Sequence, residues 1–202
     1  DQTPYVSDLN GKPLNANPFK DVRVRQALSL AVNREALVRS IMRGKAVATN
    51  TIISDSVFGY DPRITQTGQY DLQKAKALLK EAGFENGFAF TLDTPNNRWV
   101  NDENLCKALA GMWAKLNVKV NVHSMPRAQY FPKVLSFDTS AGLVGWGSST
   151  FDAYYPLQSL SATYDGTSGA GISNIGRASD KQMDALLKKL NLAEDLNERK
   201  AL

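Results

Sequence analysis

Residues 88–146 read FAFTLDTPNNRWVNDENLCKALAGMWAKLNVKVNVHSMPRAQYFPKVLSFDTSAGLVGW, and their changes of period decide the fold. Phe88, Phe90 and Leu92 alternate with Ala89, Thr91 and Asp93, the period-two signature of a strand. From about Asp102 to Leu116 the apolar residues fall at helical spacing, with Leu105, Leu109, Met112 and Leu116 on one face and Cys106 and Trp113 beside them. The period returns to two at Val118, Val120 and Val122. Pro126 suits a first helical turn, and the helix it opens contains Pro132, which is expected to shorten or kink it. The segment AGLVGW, residues 141–146, reads as a third strand.

This strand-helix-strand-helix-strand order is a double crossover. Such connections are right-handed and lay their strands parallel in one sheet, so all three strands are expected to end on the same edge. Three loops then share that edge: TPNNRWVND, SMPRAQ and GWGSSTFD. In open α/β sheets ligands bind outside the carboxyl ends of the strands, where loops vary freely and helix N-termini offer unpaired N–H groups.

Upstream, Asp21 is placed to cap a helix whose apolar stripe is Val24, Ala27, Leu28 and Ala31, and Asn33 to cap a second carrying Leu37, Val38, Ile41 and Met42. Residues 45–70 show no period and read as an extended excursion. Asp71 caps a compact helix ending at Gly83. Downstream lie a Gly/Ser-rich loop, a helix from Asp180 whose face is Met183, Leu186, Leu187 and Leu190, and the start of a further helix in AEDLNERKAL.

The 202 residues, 43% of them apolar, suffice to bury a core as a soluble globular protein. The net charge of +4 is mild, and Lys and Arg are interspersed with Asp and Glu, so no nucleic-acid partner is expected. One cysteine, Cys106, leaves no internal disulfide and no cysteine-rich metal site, and its place on an apolar helix face points to burial. The apolar runs fall short of a membrane span. No charged-then-apolar leader opens the chain, so a signal sequence is expected to have been removed or to lie outside these residues.

Four stretches together resemble the family-5 extracellular solute-binding proteins, the peptide, nickel and glutathione receptors of ABC importers. They are PFKDVRVRQALSLAVNREALV, YDLQKAKALLKEAGFENGF, LNVKVNVHSMP, and GWGSSTFDA followed by SDKQMDALL; their order spans nearly the whole chain. Members of that family are about twice this long or more, with two lobes that close on a ligand. The resemblance therefore implies that residues 1–202 are the C-terminal lobe of a two-lobed periplasmic binding protein (type II-like), α/β, with a central mixed sheet and flanking helices. The N-terminal lobe and the terminal return segment are missing from it. The implied function is the substrate-binding component of an ABC importer that holds a peptide-like or other small polar solute. Its implied setting is periplasmic, or extracellular and membrane-anchored in a Gram-positive source. The permease is the implied partner, a monomer is the implied state, no cofactor is implied, and the membrane is expected to be reached only through the permease or a lipid anchor outside these residues. One lobe alone is expected to bind weakly, because a clamp draws affinity from both walls.

The resemblance places Gly145, Trp146 and Gly147 where peptide-binding relatives pair with the ligand backbone as an added strand, and glycine leaves room for that approach. Trp146 also reads, as the lesser alternative, as a core aromatic closing the sheet. Where those relatives carry an amine-binding aspartate, this chain has Ser149, within the hydroxyl run Ser148, Ser149 and Thr150. Asp152 is open to two readings, a substitute anchor for a ligand amine or the cap of a short helix beginning near Ala153. Arg98, beside Asn97, and Arg127 follow strand ends and are candidates to hold a carboxylate, although each also reads as a solvated surface arginine. The pattern SSTFDA is similar to the glutathione-receptor type, with Phe151 in place of a glycine.

Other chemistries draw less from the sequence. A serine hydrolase built on Ser148, Ser149 and Asp152 would need a base, and the sole histidine, His123, lies in mid-strand as a sheet-face residue. A sensory or docking lobe is a further alternative. No cluster has metal-ligand spacing, so no metal is expected. GAGISNIG lacks the third glycine of a dinucleotide fingerprint and reads as a flexible loop. Asp102 and Glu103 open a helix, where the dipole alone accounts for them.

Overall fold

The computed structural model describes residues 3–65 and 69–202. In chain order its elements are β1 (Val6–Ser7), a 3-10 turn (Pro18–Lys20), α1 (Val22–Leu30), α2 (Arg34–Ser40), α3 (Pro62–Thr65), α4 (Leu72–Glu81), β2 (Phe88–Pro95) and α5 (Asp102–Trp113). A second 3-10 turn (Ala114–Leu116), β3 (Val118–Met125), α6 (Arg127–Leu135), β4 (Ala141–Gly142), α7 (Tyr154–Leu160), α8 (Lys181–Leu192) and α9 (Leu196–Ala201) follow. The chain divides into two compact units, Asp1–Thr49 with Thr67–Val144, and Asn50–Gln66 with Gly145–Leu202, counted over their described residues.

In the first unit β2 is the central strand. β3 runs parallel along one edge, from Phe88 opposite Val118 to Pro95 opposite Met125. The other edge is shared end to end by β1, antiparallel with Val6 opposite Phe90, and β4, parallel with Leu92 opposite Ala141. The sheet is thus mixed, and its parallel pairs are those the double crossover requires. The face carrying Phe88, Phe90, Leu92 and Val118 is buried beneath Val24, Ala27 and Leu28 of α1, Ala75 and Leu79 of α4, and Cys106 of α5. Each Val, Leu or Phe side chain among them contributes roughly 1.5–3 kcal/mol by burial. Three caps bound the helices as expected: Asp21, Asn33 and Asp71 accept from the N–H groups of Arg23, Ala36 and Lys74 at 2.8, 2.9 and 2.9 Å. Trp113 ties α5 to α1 by donating from Nε1 to the Leu28 carbonyl at 2.8 Å. Gly87, at φ +80°, cannot be replaced without pushing a Cβ into the Asn117 carbonyl, so the turns that open β2 and β3 touch backbone to backbone.

Three expectations are corrected here. The inward face of α5 centres on Cys106, fully buried, while Leu105, Leu109 and Met112 are only half-buried. Pro132 does not end α6, which runs on to Leu135; the lost bond belongs to the carbonyl four residues back, and the helix is anchored by buried Tyr130 and Val134. The third strand is two residues, Ala141–Gly142, instead of 141–146. Leu143 still donates its N–H to the Asp93 carbonyl at 3.0 Å. In this register the next ladder bond would come from the N–H of residue 95 to the Leu143 carbonyl, and residue 95 is proline. The Tyr130 hydroxyl donates to that carbonyl at 2.6 Å instead, so a side chain closes the ladder where the backbone lacks a donor.

The second unit has a small core of Ile53, Val57 and Ala153 with Tyr60 and Leu157 packed on it. Residues of the excursion take part: Phe58 donates to the Phe151 carbonyl and accepts from the Ala153 N–H, both at 2.9 Å. Residues 66–68 of that excursion lie outside the described residues. Leu187 and Leu190 of α8 are buried, whereas Leu186, expected on the same face, is exposed. The Gly/Ser-rich loop, expected to be flexible, is pinned through buried Asn174, whose Nδ2 donates to the carbonyls of Ala162 and Ala178 at 2.9 and 2.7 Å.

Candidate functional site

In the first unit the loops after β2 and β3 are cross-linked. Asn96 extends the ladder by donating to the Met125 carbonyl at 3.0 Å, and Asn97 Oδ1 accepts the Arg127 N–H at 2.8 Å. Buried Asp102 folds the first loop from inside: Oδ2 accepts the N–H groups of Arg98 and Trp99 at 3.0 and 3.1 Å, and Oδ1 that of Glu103 at 2.9 Å. The dipole alone therefore does not account for this helix start; Asp102 also satisfies the loop N–H groups of Arg98 and Trp99. Glu103 accepts the Ser124 hydroxyl at 2.9 Å and meets Lys107 at 2.5 Å, and these partners, Lys107 foremost, hold its carboxyl below the usual range. The backbones of Asn97, Arg98 and Arg127 are thus brought together and fixed, while both arginine side chains are exposed. The Arg98 guanidinium lies 5.4 Å from the centre of the Trp99 ring, and among the described residues neither Arg98 nor Arg127 has an ion pair.

Below this edge sits a buried charge that the sequence reading did not find. Asp93 is fully buried and accepts from the Thr139 hydroxyl at 2.7 Å, with Lys133 Nζ at 3.5 Å and His123 Nδ1 at 2.9 Å. Lys133 also meets Asp138 at 3.3 Å and lies 4.4 Å from the centre of the Tyr5 ring, and the Tyr5 hydroxyl donates to Asp138 at 2.6 Å. The network holds β1, β4 and α6 to the central strand.

In the second unit the loop from Gly145 to Asp152 precedes α7. Trp146 packs against Tyr155, ring centres 5.5 Å apart, and its indole N–H is buried without a hydrogen-bond partner. A Cβ at Gly147 would meet nothing within 4 Å, so the backbone there has open space before it. Ser148 donates to the Asp152 carbonyl at 3.0 Å, and Ser149 and Thr150 are exposed. Phe151 adopts φ +53°, the left-handed region that glycine favours, which gives a physical reason for glycine in the similar pattern. Asp152 makes the helix cap, accepting the Tyr154 N–H at 2.8 Å through Oδ1, and its Oδ2 receives Arg199 at 2.7 Å. Arg199 was not found from sequence, since nothing local links it to a residue 47 positions away. With Ser148 bonded to a carbonyl and Asp152 engaged on both oxygens, no general base among the described residues is hydrogen-bonded to these serines, and the hydrolase reading gains no support.

The profile of the bacterial extracellular solute-binding proteins, family 5 (Middle), matches residues 2–168. The chain belongs to this family. Among its relatives are heme-binding protein A of Haemophilus influenzae, 31% identical over 85% of this chain and 31% of its own length, and the dipeptide-binding protein of Escherichia coli, 30% identical over 90% and 34%. The solved structure of HbpA2 from Haemophilus parasuis superposes with a TM-score of 0.82 at 27% identity, covering 98% of this chain and 38% of that one. This family-5 chain thus spans about a third of the length of the curated relatives it matches. Those relatives are binding proteins rather than enzymes, and the family is extracellular or periplasmic. No described helix is long and apolar enough to cross a membrane.

Proposed function

We propose that this chain is one lobe, the C-terminal one, of a family-5 receptor that binds a carboxylate-bearing, peptide-like or other small polar solute and delivers it to an ABC permease. The observation that carries the solute class is the pair of exposed arginines without ion pairs, Arg98 and Arg127, on loops joined by the Asn97–Arg127 hydrogen bond at 2.8 Å. Guanidinium groups recognise carboxylates bidentately, and fixed backbones reduce the ordering cost of doing so. In the second unit, the loop from Gly145 to Asp152 is a separate candidate ligand surface. Gly147 leaves its backbone open and Gly145 is exposed, Trp146 offers an apolar surface and a buried unpaired donor, and Ser148, Ser149 and Thr150 supply hydroxyls. Asp152 shapes that loop through Tyr154 and Arg199, which favours hydroxyl contacts over a carboxylate anchor for a ligand amine. The E. coli relative's name points to dipeptides, and small peptides lead the panel to be tested. The receptor acts as a monomer outside the cytoplasmic membrane.

Calorimetry with dipeptides, tripeptides, glutathione and amino-acid conjugates tests this reading. Binding of at least one carboxylate-bearing solute is expected, weakened at least tenfold, about 1.4 kcal/mol, by Arg98→Ala. No binding anywhere in the panel overturns it.

A further inference from the structure

Between Asp138 and Asp165 the sequence holds a single charged residue, Asp152. The charge that the loop from Gly145 to Asp152 shows is therefore set by the partner this carboxylate keeps. Its Oδ1 accepts the Tyr154 N–H at 2.8 Å at the start of α7, and its Oδ2 receives Arg199 Nη2 at 2.7 Å. Arg199 is tethered on its other side. Its Nη1 donates to the carbonyls of Leu190 and Ala193 at 2.7 and 2.8 Å, at the end of α8, where carbonyls lack intrahelical donors and the helix dipole is negative. The Arg199 and Asp152 side chains are 16% and 26% exposed, so solvent screens their attraction only weakly. The backbone beside Asp152 is fixed as well: its carbonyl accepts the Ser148 hydroxyl at 3.0 Å, and Phe58 bonds both the Phe151 carbonyl and the Ala153 N–H at 2.9 Å.

We infer that Arg199 is a positioning residue for solute selection: by neutralising Asp152 it leaves this loop to read neutral hydrogen-bonding groups and withholds the one carboxylate that would attract an ammonium group. The inference rests on the loop being a ligand surface, as proposed above. An incoming amine would have to displace a guanidinium already in place at charge-assisted distance and held by two carbonyls. The uncharged hydroxyls of Ser148, Ser149 and Thr150 then carry the recognition. With a neutral residue at position 199, Oδ2 loses the guanidinium, and a mostly buried carboxylate left without a cation draws one from the solute. Arg199 thus acts through Asp152, without touching the solute.

NMR titration of the 202-residue chain with alanyl-alanine and with N-acetyl-alanyl-alanine tests this, read at the amides of residues 145–150. Both probes carry the same carboxylate, so contacts with the arginine loops are common to the two and the free amine is what separates them. In the wild type the two are expected to bind this loop within about twofold of each other. Arg199→Met is expected to favour the free amine by at least about fivefold, and Asp152→Asn added to it to abolish that preference. Arg199→Gln, which keeps an amide donor, is expected to show the same gain and serves where the methionine variant folds poorly. Loosening of the fold alone would weaken both probes together and leave their ratio unmoved. The inference is overturned, with the loop still a ligand surface, by one ratio shared by the wild type and both Arg199 variants, by a wild type that already favours the amine about fivefold, or by a preference that survives Asp152→Asn. No saturable shift at residues 145–150 with either probe in any variant overturns the loop's role and the inference with it.

Discussion

Phe151 holds a left-handed backbone that costs a bulky L-residue about 1–2 kcal/mol. Its side chain is 66% exposed, so packing does little to offset that cost. Phe151→Gly should raise stability by about 0.5–1 kcal/mol, the relieved strain less the backbone entropy of glycine, while Phe151→Ala should bring no gain. Chemical denaturation of both variants checks this. Asp165 carries a second residue-level expectation. Its carboxylate accepts the Thr167 and Ser168 hydroxyls and the Thr167 N–H, which lower its pKa from 3.8 to about 2. A folded-state pKa below the unfolded one stabilises the fold above the unfolded value, and that contribution fades as pH falls through about 2. Carboxyl NMR titration should place the midpoint near 2, and Thr167→Ala should move it up toward 3.8. Legibility at this scale followed sequence distance. The caps Asp21, Asn33 and Asp71 bond N–H groups two or three residues ahead and were readable, whereas Asp93 draws Lys133 and Thr139 from across the chain and was not.

At the level of elements, the changes of period located β2, α5, β3 and α6, because apolar spacing is set by which face is buried. The length of β4 was not readable from its own residues, since Pro95 on the neighbouring strand and Tyr130 on α6 decide where its ladder ends. Tyr130→Phe removes the hydroxyl that donates to the Leu143 carbonyl and keeps the ring. It should cost about 0.5–1.5 kcal/mol, the net worth of a part-buried hydrogen bond, and lower Tm by a few degrees. Thermal unfolding against the wild type checks it. The tie between Asp152 and Arg199 shows the same limit, because a helix near the end of the chain fixes a loop that the loop's own sequence left open between anchor and cap.

For the whole molecule, family membership was legible because four separated stretches kept their order, and the match over residues 2–168 bears that out. Solute identity was less legible, since it depends on side chains from loops far apart in sequence. The central proposal is that the carboxyl edge of the sheet, through Arg98 and Arg127, reads a carboxylate. Two-dimensional NMR of the 202-residue chain, titrated with a dipeptide and with its C-terminal amide, tests this most directly and tolerates dissociation constants on the order of 1 mM. The expected result is saturable shifts at Asn97, Arg98 and Arg127 with the free acid, at least tenfold weaker with the amide. Equal shifts with acid and amide, or shifts that avoid these loops, would contradict it.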